Sequence, residues 1–328
     1  MIVIVSDHDD QSTNEVIDWL YHFNADFIRL NEDDRITKYT LILSNHGNAC
    51  TIGTDRDGSW ESQKTTTWYR RGGFNLREYS IPPIHGFTKS DCRSLQIQLE
   101  LENRCATEAI GSTVFKNSIN SPFDNRINKI LVLERAREIG LSIPETLITN
   151  QRSQALEFKK RHGEIITKNI SQGVYARVSG AIYGGLTTKC SLRYLRSLPR
   201  IFPSALFQPL IPKWLDLRSF YLDGKIFTTA IFSQVDKRTR IDFRNYNEKR
   251  PNRTPPFEIA CDVRNSLCEL MRSLGLRSGS IDMILTPNGE YVFLEVNPVG
   301  QFKQVSYPCN YKIERLIAQT LVFGHDAN

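Results

Sequence analysis

The chain has 328 residues, 40% apolar and 24% charged, near the averages of globular proteins, which excludes disordered, collagen-like and coiled-coil architectures. Forty-two Lys and Arg against 36 Asp and Glu leave +6, too little to imply a nucleic-acid partner but suited to an anionic ligand. No run approaches the ~18 apolar residues of a membrane span, and seven scattered Cys without a CxxC pair exclude a disulfide scaffold or zinc site. The length allows two domains or one elaborate one, and the opening Ile2-Val3-Ile4-Val5 is too short for a signal peptide. These features predict a soluble, cytoplasmic protein with no membrane partner.

In chain order, the apolar run at 2–5 predicts a strand covered on both faces. Ser12-x-x-Glu15 reads as a capping box opening a helix through Phe23, and Phe27–Leu30 as the next strand. Strand, helix, strand favours an α/β opening, and the absence of GxGxxG removes support for a dinucleotide-binding unit. Further strands are expected over 39–69, with a turn at Asp57-Gly58, then a helix near 89–115 and a domain boundary near 118. Asn128–Ile139 reads as a helix with Ile130, Leu133 and Ala136 on one face and Gly140 ending it. A helix from Ser153 to Arg161 and a strand at 164–168 follow, then a flexible loop over 169–185 with four glycines. Beyond Leu206 a second α/β region is expected, with strands near 217–222, 226–234, 280–286 and 291–297.

The most informative stretch is 280–298. Asn288-Gly289 between β-rich runs predicts a hairpin with a two-residue type I′ turn. Pro287 then faces Glu290, and counting outward sets Asp282 opposite Glu295, with Asn297 two residues further on the same face. Apolar neighbours on both faces predict a buried sheet, where facing carboxylates are destabilising unless compensated. A divalent cation with oxygen ligands, its other positions left for phosphate, resolves this. So do pairing of an acid with Lys or Arg, and a shifted register that exposes the acids.

A nucleotide beside such a metal needs cations and a closing backbone. Lys129 at a helix start and Lys168 at a strand end, just before the glycine-rich loop, are placed for phosphate. In Phe207-Gln208-Pro209-Leu210-Ile211-Pro212 the two prolines predict an irregular connection whose free backbone groups meet an adenine edge. Asp216 and Arg218 alternate on the following strand and share one face.

Lys129, Lys168, the loop, the hinge at Gln208, Asp216-x-Arg218 and Asp282…Glu295-x-Asn297 occur in the order seen in ATP-grasp carboxylate ligases. Trp68-Tyr-Arg-Arg-Gly-Gly-Phe74, Asp242-Phe-Arg244 and Phe293-Leu-Glu-Val-Asn-Pro-Val-Gly-Gln-Phe302 narrow the likeness. Over nearly its whole length the chain resembles the ATP-grasp peptide ligases that make graspetides, the microviridin-like ω-ester and ω-amide peptides, and among them the maturases of grasp-with-spasm systems. One departure is Pro209, where many glutamate-ligase relatives carry an acid.

The resemblance implies a three-part α/β fold: an N-terminal α/β domain (1–118), a central domain with the loop (119–206) and a C-terminal domain with the hairpin (207–328), ATP lying between the last two. It implies Mg²⁺ on Asp282, Glu295 and Asn297, phosphate charge met by Lys129 and Lys168, and nucleotide contacts at Gln208, Leu210 and Asp216. Arg218 and Arg244 then face the transferred phosphoryl group. The implied substrate is a ribosomally made precursor peptide, a leader with an acidic and Ser/Thr/Lys-bearing core, and the implied assembly a homodimer. A ligase adding free amino acids to a protein tail is the alternative. A nucleic-acid reading of the basic stretch 237–253 lacks the interleaved aromatic platform expected for single strands.

Overall fold

In the computed structural model, which describes residues 1–124, 127–171, 175–178 and 181–324 (the side chains of 175–178 and 181–184 excepted), the run Ile2–Val5 forms β1 and is buried at every position. It is followed by α1 (Gln11–His22) and β2 (Phe27–Leu30), which pairs parallel with β1. β3 (Lys38–Ser44), β4 (Gly47–Thr54) and β5 (Gly58–Glu61) form a separate antiparallel sheet, and β6 (Thr66–Tyr69) returns to the other side of β1. α2 (Lys89–Val114) is closed by a capping box between Thr88 and Asp91.

The expected box at Ser12 and Glu15 does not cap α1. Asp10 does, its carboxylate accepting from the amides of Ser12 and Thr13 at 2.8 and 3.2 Å. The same carboxylate meets Arg70 and Arg71, Nε to Oδ2 at 3.2 and 3.3 Å. Burial lowers the Arg70 guanidinium to about 10, although Asp10 opposes the shift.

α3 (Lys129–Glu138) is capped by Asn128, as its sequence suggests, and buries Val132, Leu133 and Ala136, leaving Ile130 half-buried. An unanticipated strand, β7 (Leu147–Gln151), precedes α4 (Arg152–His162) and β8 (Ile165–Lys168). Residues 169–185, expected as loop, contain the antiparallel hairpin of β9 (Tyr175–Val178) and β10 (Ala181–Gly184). Of the glycines that suggested the loop, Gly173 and Gly180 lie outside the described residues. β11 (Thr188–Lys189) and α5 (Leu192–Ser197) lead to β12 (Ile201–Pro209). The stretch Phe207–Pro209 is therefore no irregular connection. It closes β12 in register with β8, Gln208 opposite Ile166, and Pro209 stands last, where a missing N–H costs the ladder little.

β13 (Leu215–Leu222), β14 (Lys225–Ile231), α6 (Cys261–Ser273), β15 (Ser278–Leu285), β16 (Tyr291–Asn297), α7 (Lys303–Cys309) and α8 (Ile313–Phe323) complete the chain. Two compact units result, Met1–Arg126 with Lys312–Asn328, and Ile127–Tyr311; α8 thus belongs with the N-terminal unit, packing on α1. The second unit holds two antiparallel four-stranded sheets, β11-β8-β12-β7 and β14-β13-β15-β16. The first is backed by Ala155, Phe158 and Leu195 of α4 and α5. In the second, Leu217, Ile281, Met283, Phe293 and Val296 share a core with Leu133 of α3 and Leu267, Leu270 and Met271 of α6. No helix among the described residues is long and apolar enough to cross a membrane.

The β15–β16 connection corrects one expectation and explains how another holds. Thr286 donates its amide to the Glu290 carbonyl at 2.9 Å and accepts from Gly289 at 3.0 Å. Gly289 has φ +83° while Asn288 stays out of the left-handed region, so type I′ geometry is excluded. The loop is thus three residues, Pro287-Asn288-Gly289, and from it Leu285 faces Tyr291 and Met283 faces Phe293. Counting on regularly would bring Leu294 opposite Asp282. A β-bulge intervenes at that point, and Asp282 faces Glu295. The bulge also switches alternation: Phe293 and Val296 both enter the core, and Glu295 and Asn297 turn to the other face. An alanine inserted between Leu294 and Glu295 is expected to turn that carboxylate into the core, at a cost of several kcal/mol. Deleting Leu294, which stands outside the pairing, preserves the facing and costs less. Urea melts of the two variants check this; equal midpoints would overturn the register.

Candidate active site

Alternation along β13 sends Leu215 and Leu217 into the core and Asp216 and Arg218 to the opposite face. Arg218 lies directly across from Asp282 of β15, and Asp282 across from Glu295 of β16, so three charged residues form one row over three adjacent strands. The row is continued by Lys129, the first residue of α3, which packs along β16. Two ion pairs stand side by side. Arg218 Nη1 donates to Asp282 Oδ1 and Oδ2 at 2.7 and 2.6 Å, and Lys129 Nζ to Glu295 Oε2 at 2.9 Å. All four side chains are at most 16% exposed, deep enough that an uncompensated carboxylate would be costly.

Two more cations act on the row. Lys168 ends β8; burial presses its ammonium below its ordinary range, Lys129 and Arg244 add to that, and Glu295 and Asp282 oppose it. For Glu295, burial favours the neutral acid, but Lys129, Lys168 and Arg244 together outweigh it and hold the carboxyl below its usual range. Arg244 is gripped by Asp242 through a fork, Nε to Oδ1 at 2.9 Å and Nη2 to Oδ2 at 2.7 Å. Asp242 also accepts from the amides of Arg244 and Thr187 at 3.0 and 3.1 Å. Burial works to raise Asp242, yet Arg244 and these amides overcome it and hold it at about 2. Four cations thus stand against three carboxylates, Asp282, Glu295 and Asp242, a net positive charge suited to a polyanion.

Other predicted residues have different partners. Asp216 takes Lys213 Nζ at 2.8 Å and the Ser233 hydroxyl, and burial raises its carboxyl above the ordinary range. Lys213 also reaches the Ile241 carbonyl at 3.2 Å, so this buried pair ties β13 to the segment bearing Asp242 and Arg244. Gln208 is buried and donates through Nε2 to Thr146 at 2.9 Å. The Leu210 N–H is engaged by the Glu164 carbonyl at 2.8 Å. Asn297, opposite Ser280, closes a turn by accepting from Gly300 at 3.0 Å. A Cβ on Gly300 would collide with Ser280, so only glycine lets this turn lie against β15. Lys213, Ser233 and Asp242 were missed as positioning groups. Lys213 precedes Asp216 by three residues and Asp242 precedes Arg244 by two, spacings the sequence displays but does not distinguish from surface pairs.

Among the described residues no three His, Cys, Asp or Glu side chains cluster as a metal cage. The donors here are two carboxylates on facing positions and the amide of Asn297 on the same face, all oxygen. That set fits Mg²⁺, which binds through one or two carboxylates and leaves its other positions to phosphate and water. Arg218 Nε is buried and without a partner among the described residues, a donor still available.

No family model matches the chain, and no curated protein matches it. Solved structures do. The macrocyclase MdnC of Microcystis aeruginosa MRC, bound with precursor peptide MdnA, is 28% identical over 98% of this chain and 99% of its own, with TM-score 0.72. A Chryseobacterium gregarium RiPP-associated ATP-grasp ligase, in complex with ADP and a leader and core peptide, is 23% identical over 98% and 96%, with TM-score 0.77. The ATP-grasp ligase PsnB, complexed with a phosphomimetic variant of its minimal precursor, Mg and ADP, is 19% identical over 98% and 97%, with TM-score 0.69. Over 98% of its length the chain shares the fold of these ATP-grasp ligases.

The Asp242–Arg244 fork has a measurable acid limit. A carboxyl held below its unfolded value near ~3.9 stabilises the fold above that pH and loses the contribution as pH falls toward about 2. Asp242→Asn is expected to be less stable than the parent between pH 5 and 7, as ~1–3 kcal/mol for a lost charged hydrogen bond. The gap should close as pH falls from ~4 to ~2. Chemical denaturation across that range checks it.

Proposed function

We propose that the chain is an ATP-dependent peptide ligase that closes rings on a ribosomally made precursor peptide. Its substrates are Glu or Asp side chains as acyl donors and Ser/Thr hydroxyls or Lys amines as acceptors, giving esters or amides. The observation that carries this reading is the row Arg218–Asp282–Glu295–Lys129, flanked by Lys168 and Arg244, in a fold shared with ligases crystallised with precursor peptides.

A carboxylate does not condense with an alcohol or amine in water because its oxygen leaves poorly. Transfer of the γ-phosphoryl of ATP converts that oxygen into phosphate, and the acceptor then attacks the acylphosphate carbon, releasing phosphate. Mg²⁺, held by Asp282, Glu295 and Asn297, supplies charge neutralisation on the triphosphate when bound. Lys129 and Lys168 neutralise the inner phosphates. Arg244, held in one orientation by Asp242, and Arg218, with its spare Nε–H, face the charge that develops on the phosphoryl group and the acyl oxygen. The hinge at Gln208 and Leu210 takes the adenine edge through backbone groups other than the engaged Leu210 N–H, and Asp216 lies toward the ribose. No protein nucleophile takes part. The functional division is N-terminal part, central part and C-terminal part, with ATP between the last two, and the working form is a cytoplasmic homodimer.

The test is mass spectrometry of a candidate precursor peptide, one with an acidic and Ser/Thr- or Lys-bearing core from a reading frame neighbouring this gene, incubated with enzyme, ATP and Mg²⁺. Each ring removes the mass of one water. Lys168→Ala and Glu295→Ala should lower the rate at least ~100-fold, the loss expected for a charge that acts in the transition state. Water loss that persists unchanged in Glu295→Ala would overturn the metal assignment, and absence of any water loss would overturn the ring-closing reading.

A further inference from the structure

The basic segment 237–253 carries more charge than the reaction row uses. It holds seven cations against Asp242 and Glu248, and the Arg244–Asp242 fork accounts for one of each. Lys237, Arg238, Arg240, Lys249, Arg250 and Arg253 are exposed, and none of them is in an ion pair among the described residues.

The segment is nevertheless built. Between Val235 and Cys261 no helix or strand forms, and so long a stretch without regular structure is generally either functional or disordered. Here side chains fix it. Thr239 is 1% exposed; its hydroxyl donates to the Ser233 carbonyl at 2.8 Å and lies 3.2 Å from Asn252 Oδ1. Asp236 accepts from the Arg238 amide at 2.8 Å and from Asn247 Nδ2 at 2.6 Å, and Asn245 Nδ2 donates to the Arg238 carbonyl at 3.2 Å. These bonds fold the first cations back against the last. Arg238 and Arg250 both act on Asp236, and Arg253 stands over the Phe232 ring at 5.5 Å. Cations gathered in this way repel one another, a cost that a bound polyanion relieves.

Arg244 lies at the middle, with three of the six exposed cations before it and three after. Lys213 anchors the neighbouring Ile241 carbonyl at 3.2 Å and so holds this middle against β13. We propose that the segment is the docking surface for an acidic stretch of the peptide substrate. One carboxylate of the peptide reaches Arg244 at the row, and its neighbours along the peptide meet the flanking cations. The proposal rests on the peptide reading of the substrate and adds where that peptide is held. A single-stranded nucleic acid fits less well, because Tyr246 is the one exposed aromatic ring in the segment and successive bases need several to stack on. Exposed carboxylate–cation pairs are individually weak, so the effect is graded, in affinity and in its dependence on salt.

Fluorescence anisotropy of a labelled Glu-rich peptide, measured with the full chain, tests it. The Gln counterpart of that peptide should bind at least ~10-fold more weakly, and added salt should weaken the Glu peptide alone. Arg238→Gln with Arg250→Gln, and Lys249→Gln with Arg253→Gln, should each weaken the Glu peptide about 5-fold or more, with melting unchanged. All four positions are exposed and outside the row. Equal affinity for the Glu and Gln peptides, or a Glu peptide that neither pair of substitutions weakens, overturns the docking surface. A thymidine oligonucleotide that binds more tightly than the Glu peptide overturns it in favour of nucleic acid. The readout is separate from ring closure. Water loss from the precursor with unweakened binding in both variants overturns the docking surface alone; weakened binding with no water loss overturns the ring-closing reaction alone.

Discussion

Two carboxylates face each other across adjacent buried strands, and the rest of the C-terminal half is arranged around that cost. Asp282 and Glu295 are opposed in register, in a sheet whose other face is packed core. Like charges so placed destabilise a sheet, and burial makes each charge expensive alone. The protein answers with one cation from each side: Arg218 from the neighbouring strand, Lys129 from the start of a helix. Lys168 and Arg244 then tilt the balance so that Glu295 remains ionised despite its burial.

The sequence alone leads to the right pairing of these acids by a count that is wrong in two places. A two-residue turn and an unbroken ladder give Asp282 opposite Glu295. The actual loop is one residue longer, and the actual ladder has one bulge, and the two departures cancel. Neither is legible in the residues. Asn288-Gly289 suits either turn, since both need left-handed backbone at Gly289, and Leu294 carries no mark of standing outside the ladder. What was legible is the chemistry: acids in an apolar run demand compensation, whatever the register.

The remaining differences share a physical origin. Local signals such as a capping box at Ser12, prolines at 209 and 212 and a dense cluster of glycines report what a segment does in isolation. Asp10 displaced the Ser12 box because the same carboxylate also answers Arg70 and Arg71, a demand invisible at short range. Pro209 ends a strand because β8 lies alongside as far as Ile165. β7 carries no strand signature of its own because Leu147–Gln151 is half polar, and its place is set by β12. The long-range order of charged residues proved more informative than any of these, since chemistry constrains it where propensity does not.

Charge balance in the row also bears on how the proposed reaction begins. Lys129 and Arg218 are held by Glu295 and Asp282, so the groups suited to phosphate and the groups suited to a divalent ion neutralise each other. A divalent ion entering alone would release two cations into a buried, already basic neighbourhood. A polyphosphate entering alone would draw those cations off and leave two acids facing each other. Either arrival is opposed by the charges it strands. Arrival of both together exchanges two internal ion pairs for two external ones and strands nothing. If these residues hold Mg²⁺ and the triphosphate as proposed, the pairing would favour the metal–nucleotide complex over either component, with selectivity coming from a pairing that neither acid could forgo within the sheet.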